Sequence, residues 1–377
     1  MFSITKRDTS YIGRWWWSLD RWIVIATFLL LGIGVILIMA GSPSVADRLK
    51  LNSFYFARRH ALMIIPAVGL MLGISFLSLK QIRYLAFAVF GFAVLCLILT
   101  PFVGMEIKGA RRWINIFGFS LQASEFLKPT FAVVSAWIFY LYKKQPHYPW
   151  LWVALGGLVS MLFLLLLQPD LGMVVMISCV WCGQFFLTGL SLWIILIFAI
   201  AGVSGILGAY FLFPHVSSRI DRFLATSGDK YSDFYQINQS LDAFANGGLM
   251  GQGPGEGVVK KYLPDAHADF IFAVAGEEFG FFLCMFIAML FVFILIRSFL
   301  RVIAEENLYL ILSVGGLASG LGLQALINMS SSLKLIPTKG MTLPFISYGG
   351  SSLLALGLMM GMILGFTRKR FDPRQEF

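Results

Sequence analysis

The residue with the clearest chemical potential is Asp269, in the string Pro264-Asp265-Ala266-His267-Ala268-Asp269-Phe270-Ile271-Phe272 at the start of a long apolar run. A helix N-terminus favours a carboxylate anion, while partial burial disfavours it. By residue type Asp269 fits two roles, a helix cap or a proton acceptor. Glu277 and Glu278 follow in the same run, roughly 12 Å deeper at 1.5 Å rise per residue. Acids at that depth must face protein or water. Glu278 is expected to serve structure and Glu277 to lie beneath a polar recess.

A second polar patch reads Lys108-Gly109-Ala110-Arg111-Arg112-Trp113, followed by Glu125 and Lys128. Guanidinium binds phosphate through a fork and lysine as a point charge, so Arg112 and Lys108 suit an anionic group. Glu125 and Lys128 are three apart and can pair on one helix face. Asp170, after Gln168-Pro169, reads as a helix N-cap. The string from Lys339 to Ser352 opens the last apolar run with small and hydroxyl residues, which allows close helix contact or an irregular, cavity-lining helix start. Glycines 247, 248, 251, 253, 255 and 257 crowd one loop, as turns or as a backbone nest for an anion. The four histidines show no metal-ligand spacing, and neither a Walker motif nor a nucleophile elbow is present.

The elements that must position these groups are membrane helices. Of 377 residues 58% are hydrophobic and 13% charged, about half the ~25% charged content of a soluble domain. A water-soluble globule is thereby excluded. Apolar runs near 22–40, 61–79, 82–101, 126–142, 150–167, 171–188, 192–213, 269–296, 308–330 and 345–366 predict an all-α polytopic membrane protein with about ten transmembrane helices. Ser44-Val45-Ala46 resembles a signal cleavage site, but nine further runs favour a retained anchor. Basic residues are denser on the segments that follow an inside N-terminus, which predicts N-in, C-in. The expected organisation is a single membrane domain over 1–377. It has cytoplasmic tails at 1–21 and 367–377 and a long extracytoplasmic loop at 214–268, between helices 7 and 8, with an amphipathic segment near 234–249. The net charge is +10, but no basic block stands apart from the membrane segments, so nucleic acid is not an expected partner. All four cysteines lie in apolar runs and imply no disulfide framework. Trp15, Trp16 and Trp17 form an interfacial belt.

The ordered strings KGARRW, SEFLKP, QPDLG, GGLMGQGPGEG, YLPDAHADFIFAVAGEEFG and LPFISYGGSS resemble the SEDS family of bacterial cell-wall polymerases over nearly the whole chain, and its division branch more than its elongation branch. The resemblance implies a multi-pass peptidoglycan glycosyltransferase of the bacterial cytoplasmic (inner) membrane, acting at the division septum. It would polymerise lipid II at the outer face and add to a nascent glycan strand. Its implied partners are a class B penicillin-binding protein transpeptidase, other divisome membrane proteins and membrane lipid.

The essential aspartate of the family falls on Asp269. Substrate and pyrophosphate contacts are expected from Lys108, Arg112, Lys339, Glu125, Lys128, Ser347, Gly349, Gly350 and Ser351, with support from Asp170, His267, Glu277 and Glu278. A divalent cation such as Mg²⁺, held by carboxylate and phosphate oxygens, is admissible; no organic cofactor is implied. An α-linked donor giving a β-linked product needs one inverting displacement and one general base. Asp265 replaces the usual Glu, Ala268 the usual Thr, and Arg111 a small residue. Two alternatives remain at the level of sequence, a lipid II flippase and a non-catalytic scaffold. A flippase would place polar groups near the midplane between repeats, whereas here they gather at one boundary.

Overall fold

The computed structural model describes residues 11–107, 110–116, 119–189, 233–337 and 340–369, with isolated positions between 190 and 232. The helices in chain order are α1 (Tyr11–Ser18), α2 (Arg21–Arg48), α3 (Tyr55–Ser75), α4 (Leu79–Val103), α5 (Ala123–Lys144), α6 (Trp150–Leu167), α7 (Leu171–Leu187), α8 (Asp233–Gly247), α9 (Ile271–Val302), α10 (Leu308–Ser332) and α11 (Gly350–Thr367). Among the described residues seven of them are long and apolar enough to cross a membrane. The expected crossings at 126–142 and 171–188 are α5, which carries charge at both ends, and the 17-residue α7. The expected run at 192–213 lies largely outside the described residues. A three-stranded antiparallel meander, β1 (Met105–Ile107), β2 (Ala110–Ile116) and β3 (Phe119–Leu121), joins α4 to α5. Hydropathy did not announce it, because strands this short bury no continuous apolar face.

Local signals start the helices. Asp20 caps α2 by accepting from Trp22 N at 3.0 Å. Ser78 and Gln81 form a capping box on α4, Asp170 accepts from Met173 N at 3.3 Å to cap α7, and Asn307 caps α10. Each satisfies backbone donors that lipid could not.

The contacts sort the helix ends into two groups. At one end, which we call basal, Asp20 is fully buried between Arg297 Nε, at 2.9 Å, and Arg301 Nε. There Trp15 donates to Ser75 Oγ at 3.1 Å and stacks on Phe76, and Lys369 N bonds Ser18 O at 3.0 Å. Both ends of the described chain therefore lie on one side, and residues 11–18 of the expected tail form packed α1. At the opposite end Ser240 Oγ on α8 donates to Ser332 O at the close of α10. Gln184, late in α7, donates to Leu312 O early in α10. The chain thus leaves α7 at the basal end and is at the other end by α8.

Small residues let the helices approach, as expected where lipid supplies no hydrophobic drive. A β-carbon on Gly357 would meet Ala67 O at 2.4 Å, and one on Gly361 would meet Met71 O at 2.9 Å, so α11 lies directly against α3. Helix α9 is interrupted at Gly280, where φ is 75° and ψ −171°, in the left-handed range that favours glycine. The glycine-rich segment after α8 plugs this break. Gln252 N donates to Glu277 O and Gly253 N to Glu278 O, each at 2.9 Å, and Phe281 N donates to Gly248 O at 3.0 Å. These bonds replace the helical ones lost at the break. The amides of Gly248, Gly251 and Gly253 face carbonyls, so the anion-nest reading is corrected there, and Gly247 and Gly251 serve a close backbone approach.

Candidate active site

Asp269 is half-buried in the turn that leads into α9. Its surroundings fix the backbone on both sides. Asn328 Nδ2 on α10 donates to Asp269 O at 2.9 Å and to Met341 O at 2.7 Å. Ser347 Oγ donates to Ala268 O at 2.7 Å while accepting from Leu343 N, and Tyr348 N donates to His267 O at 2.9 Å. The carboxylate faces the segment before α11: a β-carbon on Gly340 would stand 3.3 Å from Asp269 Oδ2. Asp265 takes φ 53° in this turn, a conformation Asp tolerates better than most side chains.

Helix α2 gives a ruler for depth. Arg48 donates to Lys261 O and Leu263 O at 2.7 and 2.8 Å. A β-carbon on Gly41 would lie 3.7 Å from His267 Cα, and one on Gly34 only 2.6 Å from Phe345 O. At 1.5 Å per residue the His267 turn sits about 10 Å below Arg48, and the Phe345 turn about 10 Å deeper again. Both irregular segments are enclosed by helices, where non-helical backbone at membrane depth is tolerated. Asp269 therefore lies in a recess below the helix ends.

Beneath it runs a buried polar chain. Lys128 Nζ pairs with Glu125 Oε2 at 2.8 Å and donates to Gln324 Oε1 at 2.8 Å. Gln324 Nε2 donates to Thr342 O at 2.9 Å, and Thr342 and Ser352 share a hydroxyl contact of 2.7 Å. Glu125 and Lys128 thus brace the segment facing Asp269. Ser347 braces the same turn, and Ser351 is buried at the start of α11. Gly349 and Gly350 begin that helix without a side-chain cap.

The remaining expected residues fall into separate places. Arg112 Nε donates to Gln168 O at 2.9 Å, its Nη2 to Pro169 O, and its Nη1 lies 4.0 Å from Asp170 Oδ2. It ties the meander to the turn between α6 and α7. Glu277 is wholly buried and accepts from Asn246 Nδ2, Val259 N and Lys260 N at 3.0, 2.7 and 2.8 Å. Glu278 pairs with Lys260 Nζ, which also donates to Ala40 O at 3.2 Å. The recess expected above Glu277 is filled by this loop, and both acids hold it. Lys108 and Lys339 lie outside the described residues.

His267 is buried against Phe56 and Tyr348, with ring centroids 4.2 and 5.2 Å away. Burial lowers its pKa to about 4, against an opposing pull from the Asp265 charge, so the ring is neutral at pH 7. Among the described residues no three His, Cys, Asp or Glu side chains gather as a metal cage. Mg²⁺ commonly uses one or two carboxylates plus substrate phosphates, and the single carboxylate of Asp269 meets that lesser requirement.

Sequence reading missed Asn328, Gln324 and Lys260. The first two were detectable as polar residues four apart in an apolar run, hence on one helix face. Nothing local marked Lys260.

A family model described as cell cycle protein, covering FtsW, RodA and SpoVE, matches residues 21–371. A probable peptidoglycan glycosyltransferase FtsW of Caulobacter vibrioides (strain NA1000 / CB15N) is 40% identical over 370 residues, 98% of this chain and 94% of its own. The protein of that name in Coxiella burnetii (strain RSA 493 / Nine Mile phase I) is 36% identical over 92% of this chain and 96% of its own. Among solved structures, a chain from work on structural coordination of polymerization and crosslinking by a peptidoglycan synthase complex superposes with a TM-score of 0.75. It is 26% identical, with 93% of this chain and 98% of that one covered. The rod shape determining protein RodA of Thermus thermophilus shares the fold at a TM-score of 0.66 and 24% identity, covering 95% of this chain and 99% of that one.

Proposed function

The chain belongs to the FtsW/RodA/SpoVE family of cell cycle proteins, and from that premise we propose that it polymerises lipid II with Asp269 as general base. It is a multi-pass membrane peptidoglycan glycosyltransferase of the FtsW type. The observation that carries the proposed base is the placement of Asp269: a half-buried acid below the end of α2, on a backbone held from α10 and from the turn before α11.

In the proposed reaction the 4-hydroxyl of one lipid II attacks the anomeric carbon of the growing strand from the face opposite its diphosphate. The new carbon–oxygen bond forms as the bond to diphosphate breaks with its electron pair, and the hydroxyl proton passes to the Asp269 carboxylate. One displacement inverts the anomeric centre and needs no nucleophilic carboxylate. A leaving diphosphate requires positive charge, for which Lys108, Arg112 and Lys339 are the proposed sources in sequence. Arg112 already spends two donors on carbonyls, so it would have to rearrange to serve. A divalent cation, when bound, would neutralise diphosphate charge with Asp269 as its protein ligand.

The end bearing Asp269 is assigned to the outer face and the basal end to the cytoplasm, with 214–268 as an outer loop of a single membrane domain. A penicillin-binding protein is the expected partner class, since the related chain above comes from a complex that coordinates polymerization with crosslinking. Its class B type, and work at the septum, follow from the family branch. The test is purified chain, alone and with such a partner, given lipid II and divalent cation. Asp269→Asn should abolish glycan polymer while leaving folding and lipid II binding intact. Undiminished polymer would refute the base, and would favour a flippase or scaffold.

A further inference from the structure

We propose that Arg297 and Arg301, which share the carboxylate of Asp20 at the basal end, hold the phosphodiester of an anionic phospholipid whose acyl chains lie along α2 and α9. The site is at the opposite end of the bundle from Asp269 and does not depend on the glycosyltransferase reading.

Arg297 and Arg301 stand four apart in the closing turns of α9, hence on one helix face. Asp20 Oδ1 accepts from Trp22 N, and Oδ2 accepts from the Nε of both arginines, at 2.9 Å for Arg297. Two cations therefore meet one anion, which leaves an excess of one positive charge. The Asp20 side chain is wholly closed off, whereas those of Arg297 and Arg301 remain 33% and 22% exposed. Among the described residues their Nη groups have neither a hydrogen bond nor an ion pair, and exposed Glu305 and Glu306 pair with neither arginine. A guanidinium whose Nε is taken still offers N–H donors spaced for phosphate oxygens.

The depth of this cluster suits a headgroup. Helix α2 runs 28 residues from Arg21 to Arg48, about 42 Å at 1.5 Å rise, which matches the ~40–45 Å of a bilayer with its headgroup layers. Asp20, one residue before α2, is thus level with a headgroup layer and not with the hydrocarbon. Arg21 lies over the Trp17 ring at 3.8 Å, an interfacial pairing that marks the same level. Helices α2 and α9 pack side by side. At and just inside this level they expose Trp22 and Ile25 on α2, and Ile296 and Leu300 on α9, apolar surface on which acyl chains can rest while the phosphate meets the arginines. Basic pockets between helices at the membrane surface are where anionic headgroups bind. A zwitterionic headgroup brings its own cation and would leave the excess charge uncompensated, so the site should select lipids of net negative charge.

The experiment uses full-length chain in detergent and native mass spectrometry to measure retention of phosphatidylglycerol against phosphatidylcholine, with glycerol 3-phosphate as a soluble competitor. Wild type should retain phosphatidylglycerol in preference. Arg301→Gln leaves Asp20 its pair with Arg297 but removes the excess charge, and should weaken phosphatidylglycerol binding about tenfold, the scale of one charge-assisted contact. Asp20→Asn keeps an oxygen to cap α2 and frees both cations, so it should tighten retention, and it serves if Arg301→Gln does not fold. Equal retention of the two lipids by wild type overturns the site, as does wild-type retention in Arg301→Gln. Loss of retention in Asp20→Asn also overturns it, since the cluster would then act only as a brace between α2 and α9. Displacement of the lipid by glycerol 3-phosphate would mark a site for free phosphate and overturn the assignment to phospholipid.

Discussion

A carboxylate proposed to take a proton from a sugar hydroxyl must be held still and remain reachable, and the neighbours of Asp269 hold its backbone. Asn328 and Ser347 bond the main chain at Asp269 and Ala268, which leaves the side chain turned toward Gly340. His267 shows how dry the adjoining wall is. Folded, its imidazole holds off a proton until pH falls to about 4; unfolded, it takes one up near 6.5. The unfolded state binds more protons between those values, so stability should decline as pH is lowered from about 6.5 to about 4, by up to about 3 kcal/mol. Thermal unfolding in detergent across that window checks this. His267→Phe should lessen the slope without abolishing it, and an unaltered slope would show that another group is responsible. Glu125 and Lys128 form the other sensitive pair. Lys128→Met leaves Glu125 buried without its cation and should cost about 3–5 kcal/mol, whereas Glu125→Gln with Lys128→Met should recover part of that loss. Chemical denaturation of the two variants decides it; equal losses would mean that the pair is not coupled.

At the scale of elements, α9 and the segment after α8 make one unit. A β-carbon on Gly251 would stand 2.2 Å from Glu278 O, and one on Gly280 2.4 Å from Leu249 O. Gly253, with φ 111°, has no backbone so near. Gly253→Ala should therefore cost only the strain of its backbone, about 1–3 kcal/mol, and leave the fold intact. Gly251→Ala combines the same strain with a backbone collision and should lower the unfolding temperature clearly further. Equal shifts would mean that the plug at the α9 break yields freely. The glycine crowding was visible in the sequence, but its use was not: whether a glycine opens a turn or admits a second backbone depends on a neighbour some thirty residues away.

For the whole molecule, the contacts separate a basal end, with Asp20, Arg297, Arg301 and Arg368, from the end that carries Asp269. If that second end faces outward, a cysteine placed at exposed Pro254 should be labelled by an impermeant maleimide on intact spheroplasts. One at Lys369 should be labelled only after permeabilisation, in a background freed of the four native cysteines. The reverse pattern would invert the assigned orientation and remove Asp269 from the side where lipid-linked precursors are polymerised.

The apolar runs by themselves determined that this is a membrane bundle, and nine of the ten coincide with helices among the described residues. Lipid leaves a segment no hydrogen-bond partner except itself, so a local property, hydropathy, settles a local structure. The ordered motifs likewise pointed to Asp269 and to the family. Tertiary structure alone decided which polar groups meet. Lys128 finds Gln324 across 196 positions, Arg112 closes on the carbonyls of Gln168 and Pro169, and Lys260 reaches Glu278 beside the α9 break. A buried charge or donor must be matched by whatever the packing brings to it, and no spacing along the chain encodes that partner.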